Sequence, residues 1–294
     1  MKDSTTDTYK HHWKSFLLFL LKHQLPTALP VAPYNIALFI TDLCNKGLKH
    51  STIRTYISSI NFVHCLKGHQ EVSSHLIVQK ALQAVQNRSV TKASSPLLPI
   101  TCTILRQLVD KIHLATNNPY NRTLFKALFL MSFYACTRAG ELVLSSEPTH
   151  VLFLRNVNLV TLPNIGQAFE LTFNTFKHSS SPARMLLHPI RGSEYCPVQA
   201  LVNFLGVRPK TPGQLFVQLN KTPVTRSTFA NFLKVCLHLS GLQSMHYNTH
   251  SFRIGRATQL AADNASAETI KAVGRWKSSA YVKYIRPMHT VLPT

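Results

Sequence analysis

The stretch HSFRIGRATQLAADNASAETIKAVGRWKSSAYVKYIR, residues 250–286, decides the reading of this chain, because it gathers a histidine, several arginines, a tryptophan and two tyrosines within one short span. These side chains suit phosphate chemistry. His250 and Arg253 stand three apart behind Asn248 and Thr249, either of which can cap a helix, so both fall on one face of its first turn. A helix N-terminus is already an anion site. The helix continues through 257–262, Asp263 and Asn264 break it, Ser266 caps a second helix carrying Ile270 and Val273, and Gly274 stops that one. Trp276 opens the last element. Ser278 caps a short helix holding Tyr281 and Tyr284, and Pro287 cannot continue it, which makes Arg286 its expected last residue.

Composition narrows the partner. The chain has 294 residues, 45% of them hydrophobic, enough to bury a full core in one large domain or two ordinary ones. Lys and Arg number 32 against 11 Asp and Glu, a formal net charge of +21, and such a field points to a polyanion. No acid occurs between Glu71 and Asp110 or between Glu194 and Asp263, so long surfaces can face phosphate without repulsion. The longest apolar run, residues 16–21, is far too short to span a bilayer, and no cleavable signal peptide is visible, so double-stranded DNA and not a membrane is the expected partner. Cys44, Cys65, Cys102, Cys136, Cys196 and Cys236 form no Cys-x-x-Cys pair and no zinc-finger spacing; they read as reduced core thiols of an intracellular protein.

Helical spacing of Tyr9, Trp13, Phe16, Leu17 and Leu20 predicts a first helix from the caps at 4–6 to about Leu21. A second follows Pro33, with Ile36, Phe39, Ile40 and Leu43 on one face, and a basic turn containing Lys46 and Lys49 comes after it. A third starts at the cap Ser51 or Thr52 and buries Ile53, Tyr56, Ile57, Ile60 and Val63 while Arg54 faces away. The fourth, over 74–85, buries Leu76, Ile77, Ala81 and Val85. Four such helices form a compact bundle, residues 1–90. Residues 91–97 then read as a linker, with Lys92 in it, and 98–294 as a second domain; formal charges of +7 and +14 fall on the two sides of position 97. Two basic domains on a flexible strap can close around a duplex.

In the second domain, 104–112 and 124–134 read as helices, the latter running into Cys136, Thr137, Arg138, Ala139, Gly140 and Glu141. The period then changes. Short β-branched or aromatic runs at 151–154, 157–161, 169–173 and 185–187, separated by Pro163, Asn164 and Gly166, predict a small antiparallel sheet. Lys177 follows the third run in the turn FKHSSSPAR, at a hairpin tip. Residues 196–205, with Pro197 at a first-turn position, and 227–239 return to helix. The fold class is therefore mainly α with a small antiparallel sheet.

Arg138 with Glu141, Lys177 in its turn, His250 with Arg253, and Trp276 followed by Tyr284 occur in an order that resembles the tyrosine recombinase family across nearly the whole chain. The wording HSFRIGRAT with GRWKSSAYVKYIR is most similar to recombinases of eukaryotic mobile elements of the Crypton, DIRS and Ngaro kind. The resemblance implies an N-terminal four-helix core-binding bundle and a mixed α/β catalytic domain, with Arg138, Lys177, His250, Arg253, Trp276 and Tyr284 catalytic and Glu141 orienting an arginine or His250. Many members place the tyrosine nine residues after the His/Trp, whereas Tyr284 is eight after Trp276. It also implies site-specific cutting and rejoining of DNA through a 3′-phosphotyrosine, in a nucleus, by a homo-oligomer that is a dimer on one site and a tetramer in synapsis. Lys46, Lys49, Arg54, Lys92, Arg256, Arg275 and Lys277 are the expected DNA-binding cations.

The chemistry fits those residue types. Charge accumulating on non-bridging phosphate oxygens calls for guanidinium forks, here Arg138 and Arg253, and the poor 5′-oxygen leaving group calls for a proton, here from Lys177 with its pKa lowered by the arginines. His250 holds a phosphate oxygen or takes the phenolic proton, and Trp276 donates its indole N–H. Acids are too sparse for a two-metal nuclease, and no His-Glu-x-x-His or Gly-rich phosphate loop occurs, so neither metal nor cofactor is expected. Tyr284 is preferred to Tyr281 as nucleophile by its offset from Trp276. A type IB topoisomerase would use almost the same residues. A domesticated DNA-binding derivative without recombination activity is the reading from another class.

Overall fold

The first four amphipathic segments form four α-helices in the computed structural model, which describes residues 3–90, 97–145, 150–175 and 181–287. They are α1 (Asp3–Lys22), α2 (Pro33–Asn45), α3 (His50–Leu66) and α4 (Leu76–Val90). α1 packs on α3 and α2 on α4, around Phe16, Leu20, Ile36, Phe39, Ile40, Ile53 and Ile57. Pro33 starts α2 because its missing N–H is one the first turn would leave unpaired. Polar groups inside this core are matched. His64 is buried and accepts the Val31 N–H at Nε2 (3.1 Å) while its Nδ1 lies 2.9 Å from the Ile60 carbonyl, which fixes the proton on Nδ1.

Two details differ from the sequence reading. α3 starts at His50 with Lys49 in the cap position, and neither Ser51 nor Thr52 caps it; Ser59 and His64 are buried on its inner face, where Tyr56 and Val63 are only half-buried. α4 turns a different stripe inward. Val78 and Val85, two turns apart, are buried with Ala81 and Leu82 packed beside them, so Leu76 and Ile77 fall outside the stripe and are exposed.

Contacts divide the chain into two compact units, Met1–Ser95 and Pro96–Thr294. Of the expected linker 91–97, residues 91–96, including Lys92, lie outside the described residues. The second unit is built on α7 (Pro119–Tyr134), which Asn118 caps by accepting the Tyr120 N–H (2.9 Å), and which is buried on nearly every side. Before it come α5 (Cys102–Asp110), capped by Thr101, and α6 (Ile112–Ala115); after it comes the single turn α8 (Ala139–Leu142). α9 (Pro197–Val207) packs against α7, and so does α11 (Ser251–Ala262), while α10 (Arg226–Leu239) lies against α5 and α6. The last elements are α12 (Ala267–Gly274) and a 3-10 helix, Ser279–Tyr284.

The sheet has three antiparallel strands in the order β1 (Val157–Leu162), β2 (Gly166–Phe173), β3 (Ala183–Leu187). Phe169, Leu171 and Phe173 alternate inward from β2 into the core. The expected strand at 151–154 does not form. Its backbone is spent on two different segments: Leu152 N–H donates to Glu141 O (2.8 Å), while Leu152 O accepts from Leu215 and Leu154 N–H donates to Gly213 O, so no ladder develops. Phe173 pairs with Ala183 at the end of the β2–β3 ladder. Lys177 belongs by sequence to the connection between them and lies outside the described residues. Cys136, Cys196 and Cys236 are buried free thiols, but Cys65 is exposed and Cys44 and Cys102 are half-buried, so the six are not all core.

Candidate active site

The end of α7 delivers the first site residues. Cys136 takes a left-handed backbone (φ +47°), which ends the helix, and Arg138 occupies the N-cap position of α8. Glu141, three residues on, closes that turn by accepting the Arg138 backbone N–H at Oε2 (3.0 Å), and its Oε1 accepts from Arg138 Nη1 (2.9 Å). Arg275 Nη2 approaches the same carboxylate at Oε2, 2.5 Å away. Glu141 is 2% exposed, Arg275 5% and Arg138 22%, so Arg138 is the member of the trio that reaches solvent. Burial pushes the Glu141 carboxyl upward, but the guanidinium groups of Arg275, Arg253 and Arg138 outweigh it and hold the carboxyl below the usual carboxylate range.

The second contribution is the start of α11. Asn248 does not cap this helix. Its Oδ1 accepts the His250 N–H (2.7 Å) while Ser251 Oγ accepts the Asn248 N–H (3.2 Å), a local turn that leaves His250 in the cap position with helical dihedrals. Arg253, in the first turn, is wholly buried. Its Nη1 donates to Cys136 O and its Nη2 to Gly274 O (2.5 Å), so one side chain fastens the segment before Arg138 to the segment before Trp276. This differs from the open fork expected of it. Two of its donors hold backbone carbonyls, and Nε is buried without a partner among the described residues.

The third contribution is the C-terminal segment. Ser266 caps α12 as expected, accepting the Thr269 N–H (3.1 Å), but the helix runs through Gly274 and the left-handed residue is Arg275 (φ +54°). Gly274 is required by contact, since a Cβ there would lie 1.7 Å from Cζ3 of Trp276. Trp276 lies over Arg253, whose Cζ is 4.2 Å from an indole ring centroid, and its Nε1 is buried with no partner among the described residues. Ser278 accepts the Ala280 N–H (3.3 Å), and the 3-10 turn it opens ends at Tyr284, short of the expected Arg286. Thr258 of α11 holds that end down: its hydroxyl donates to Tyr284 O (3.3 Å) and accepts the Arg286 N–H (3.1 Å).

These segments bring Arg138, Glu141, His250, Arg253, Trp276 and Tyr284 into one site. The Tyr284 ring centroid is 5.1 Å from that of His250 and 5.0 Å from that of Trp276, and Arg253 Cζ lies 5.5 Å from it. Tyr281 is farther from Trp276, 6.4 Å between ring centroids, and its ring centroid has Lys271 Nζ at 5.9 Å. Burial and the charges of Arg253, Arg138, Arg226 and Arg286 push the His250 imidazole down to about 4, so it is neutral at physiological pH. A neutral imidazole beside a phenol, ringed by guanidinium groups, can hold a phosphate, and can accept a proton once the charge of that phosphate offsets theirs.

The expected DNA-binding cations divide. Lys49, Arg54 and Lys277 are exposed, and Lys46 is exposed but paired with Asp42 at 2.6 Å. Arg275 differs from the expected surface cation: its side chain is 5% exposed and pairs with Glu141. Arg256 is half-buried, with Cζ 5.8 and 5.5 Å from the Phe133 and Tyr134 ring centroids and a buried Nε, and does not extend as a surface cation. Lys92 and Lys177 lie outside the described residues. Arg226 and Arg286 were not assigned and both act on His250. Arg226 carries no local signal because α10 meets α11 only through the fold, whereas Arg286 stands two residues past Tyr284. Counting back nine residues from Tyr284 reaches Arg275, not Trp276. Among the described residues no group of three His, Cys, Asp or Glu is placed to hold a metal ion, and no helix is long and apolar enough to cross a membrane.

No protein-family model matches the chain. It is 25% identical over 295 aligned positions, 96% of this chain and 81% of the other, to an integrase/recombinase XerD homologue of Selenomonas ruminantium. Among solved structures, the Tn1549 transposon integrase in complex with circular intermediate DNA superposes with a TM-score of 0.63 at 13% identity, covering 98% of this chain and 91% of that one. XerH recombinase bound to difH substrate gives 0.67 at 15% identity over 95% and 76%, and a lambda integrase dimer bound to a COC′ core site gives 0.64 at 13% over 97% and 72%.

Proposed function

We propose that this chain, which has the tyrosine recombinase fold, is a site-specific recombinase that cuts and rejoins double-stranded DNA through a covalent 3′-phosphotyrosine. The observation that carries the reading is the enclosure of Tyr284 by His250, Arg253 and Trp276 beside the Glu141-held Arg138. His250, neutral, takes the phenolic proton. The Tyr284 oxygen attacks phosphorus, a Tyr–O–P bond forms, and the P–O5′ bond breaks in line with it. Arg138 offers its solvent-facing donors to the non-bridging oxygens, and Lys177 supplies the proton that the departing 5′ oxygen needs. Energy of the phosphodiester is kept in the new ester, so rejoining needs no nucleotide. Similarity to the XerD homologue along 96% of the chain supports the same reading.

The finer assignment rests on sequence wording. HSFRIGRAT and GRWKSSAYVKYIR support a recombinase of a eukaryotic mobile element of the Crypton, DIRS or Ngaro kind, acting in the nucleus as a dimer on one site and a tetramer in synapsis. The test is a nicked duplex taken from DNA flanking the gene, from which the freed strand diffuses away and traps the adduct. Wild type and Tyr281→Phe form a protein–DNA adduct, and Tyr284→Phe forms none. An adduct that survives Tyr284→Phe and disappears in Tyr281→Phe reverses the nucleophile; DNA binding with no adduct from any form identifies a domesticated DNA-binding protein instead.

A further inference from the structure

We infer that Arg275 is a positioning residue for strand cleavage, sharing the Glu141 carboxylate with Arg138 so that the Arg138 guanidinium stays turned toward the DNA phosphate. The inference rests on the recombinase reading and deepens it. A carboxylate can take an arginine through both prongs of the guanidinium fork. At Glu141 that option is closed, because Oε2 is occupied by Arg275 Nη2 and the Arg138 backbone N–H, and only Oε1 is left for the Arg138 side chain. Arg138 is therefore gripped by Nη1 alone, and it is the exposed arginine of the pair. With Arg275 removed, Oε2 opens, and a buried carboxylate would draw Arg138 into a two-pronged pair facing away from solvent.

Two further features fit this role and not a DNA contact. The Arg275 backbone sits at φ +54°, a conformation that favours glycine, yet the position carries a long side chain with four attachments. Besides Glu141 these are Ala135 O at 3.4 Å, Met185 Sδ on β3 at 3.2 Å and the Phe173 ring at the end of β2, 4.2 Å from Cζ. Phe173 and Met185 flank the connection that contains Lys177 in sequence, so one guanidinium braces Arg138 and the foot of that connection together.

Two measurements test it on the full chain. In the protein alone, carbon-13 NMR follows the Glu141 carboxyl through a pH titration: Arg275→Met moves its midpoint up by about one unit or more, as loss of a close cation does. An unmoved midpoint overturns the inference. On nicked duplexes carrying an ordinary phosphodiester or an uncharged methylphosphonate at the cleaved position, Arg275→Met slows adduct formation roughly 100-fold on the first, the scale of one lost transition-state donor. It changes the second by no more than about threefold, since a neutral centre makes little use of Arg138. Arg275→Lys, which keeps the charge, recovers most of the phosphodiester rate. Equal slowing on both substrates, with lysine no better than methionine, reduces Arg275 to packing and overturns the inference. Should Arg275→Met fail to fold, Arg275→Gln is the neutral variant for the same two comparisons. A wild-type chain that forms no adduct on either duplex removes the recombinase reading, and the carboxyl titration still decides whether Arg275 controls Glu141.

Discussion

At the scale of single residues, the site is a contest between burial and charge, and His250 and Glu141 come out of it differently. Arg253 and Arg138 act on both, joined by Arg275 at Glu141 and by Arg226 and Arg286 at His250. For Glu141 they oppose desolvation and keep the carboxylate ionised; for His250 they add to it and push the imidazole to about 4. The consequence for stability has a definite sign. The folded value lies below the ordinary 6.5, so between the two the unfolded chain binds a proton that the folded chain does not. The stability held by neutral His250 is therefore complete above pH 6.5 and is lost as pH falls through that window toward about 4. The difference in unfolding free energy between wild type and His250→Gln should be flat above pH 6.5 and turn against wild type below it, by at most about 1.4 kcal/mol per pH unit. Urea unfolding at a series of pH values measures it, and parallel curves through the window would show that His250 titrates normally in the fold.

At the scale of elements, the site depends on how α12 hands over to the last turn. Gly274 cannot accept a side chain because the Trp276 ring lies where a Cβ would go. Gly274→Ala should therefore cost about 1–3 kcal/mol as an overpacked contact and displace Trp276 from Arg253 and Tyr284. Thermal unfolding with tryptophan emission reads both effects, and an unchanged emission maximum at unchanged stability would contradict the contact. Signals that act within one turn were legible from sequence: Pro33 and Pro197 at helix starts, and the caps Ser266 and Ser278. What was not legible depends on partners far along the chain. The 151–154 run has strand-forming residues, but its carbonyls and N–H groups answer to Glu141 and to 213–215. Arg275 reads as a surface cation beside Lys277 until Glu141, 134 positions away in sequence, takes its guanidinium. The grouping of Arg138, His250, Trp276 and Tyr284 was legible because order along the chain carries it; the burial of Arg253 was not, since nothing local announces that Cys136 O and Gly274 O need a donor.

At the scale of the whole molecule, charge points to the kind of partner before any site is considered. A surplus of 21 cations repels itself in the free protein, and binding a polyanion relieves that repulsion while releasing the counterions condensed on the duplex. Each phosphate neutralised contributes a slope of about −0.9 to the dependence of log K on log salt, so the slope counts contacts. The acid-free stretches between Glu71 and Asp110 and between Glu194 and Asp263 lie one on either side of α7 in sequence, and the second of them contains Arg226 and His250. Many contacts are thus available, and with six or more the affinity for duplex DNA should fall by roughly a thousandfold between 50 and 200 mM salt. Titration of a labelled duplex at several salt concentrations gives the slope. A random duplex and one taken from beside the gene should give nearly parallel lines, because phosphates set the slope and base contacts only the offset. A nearly flat line would mean that the positive charge does not face DNA, and with it would go the assignment of Lys49, Arg54 and Lys277 to the DNA surface.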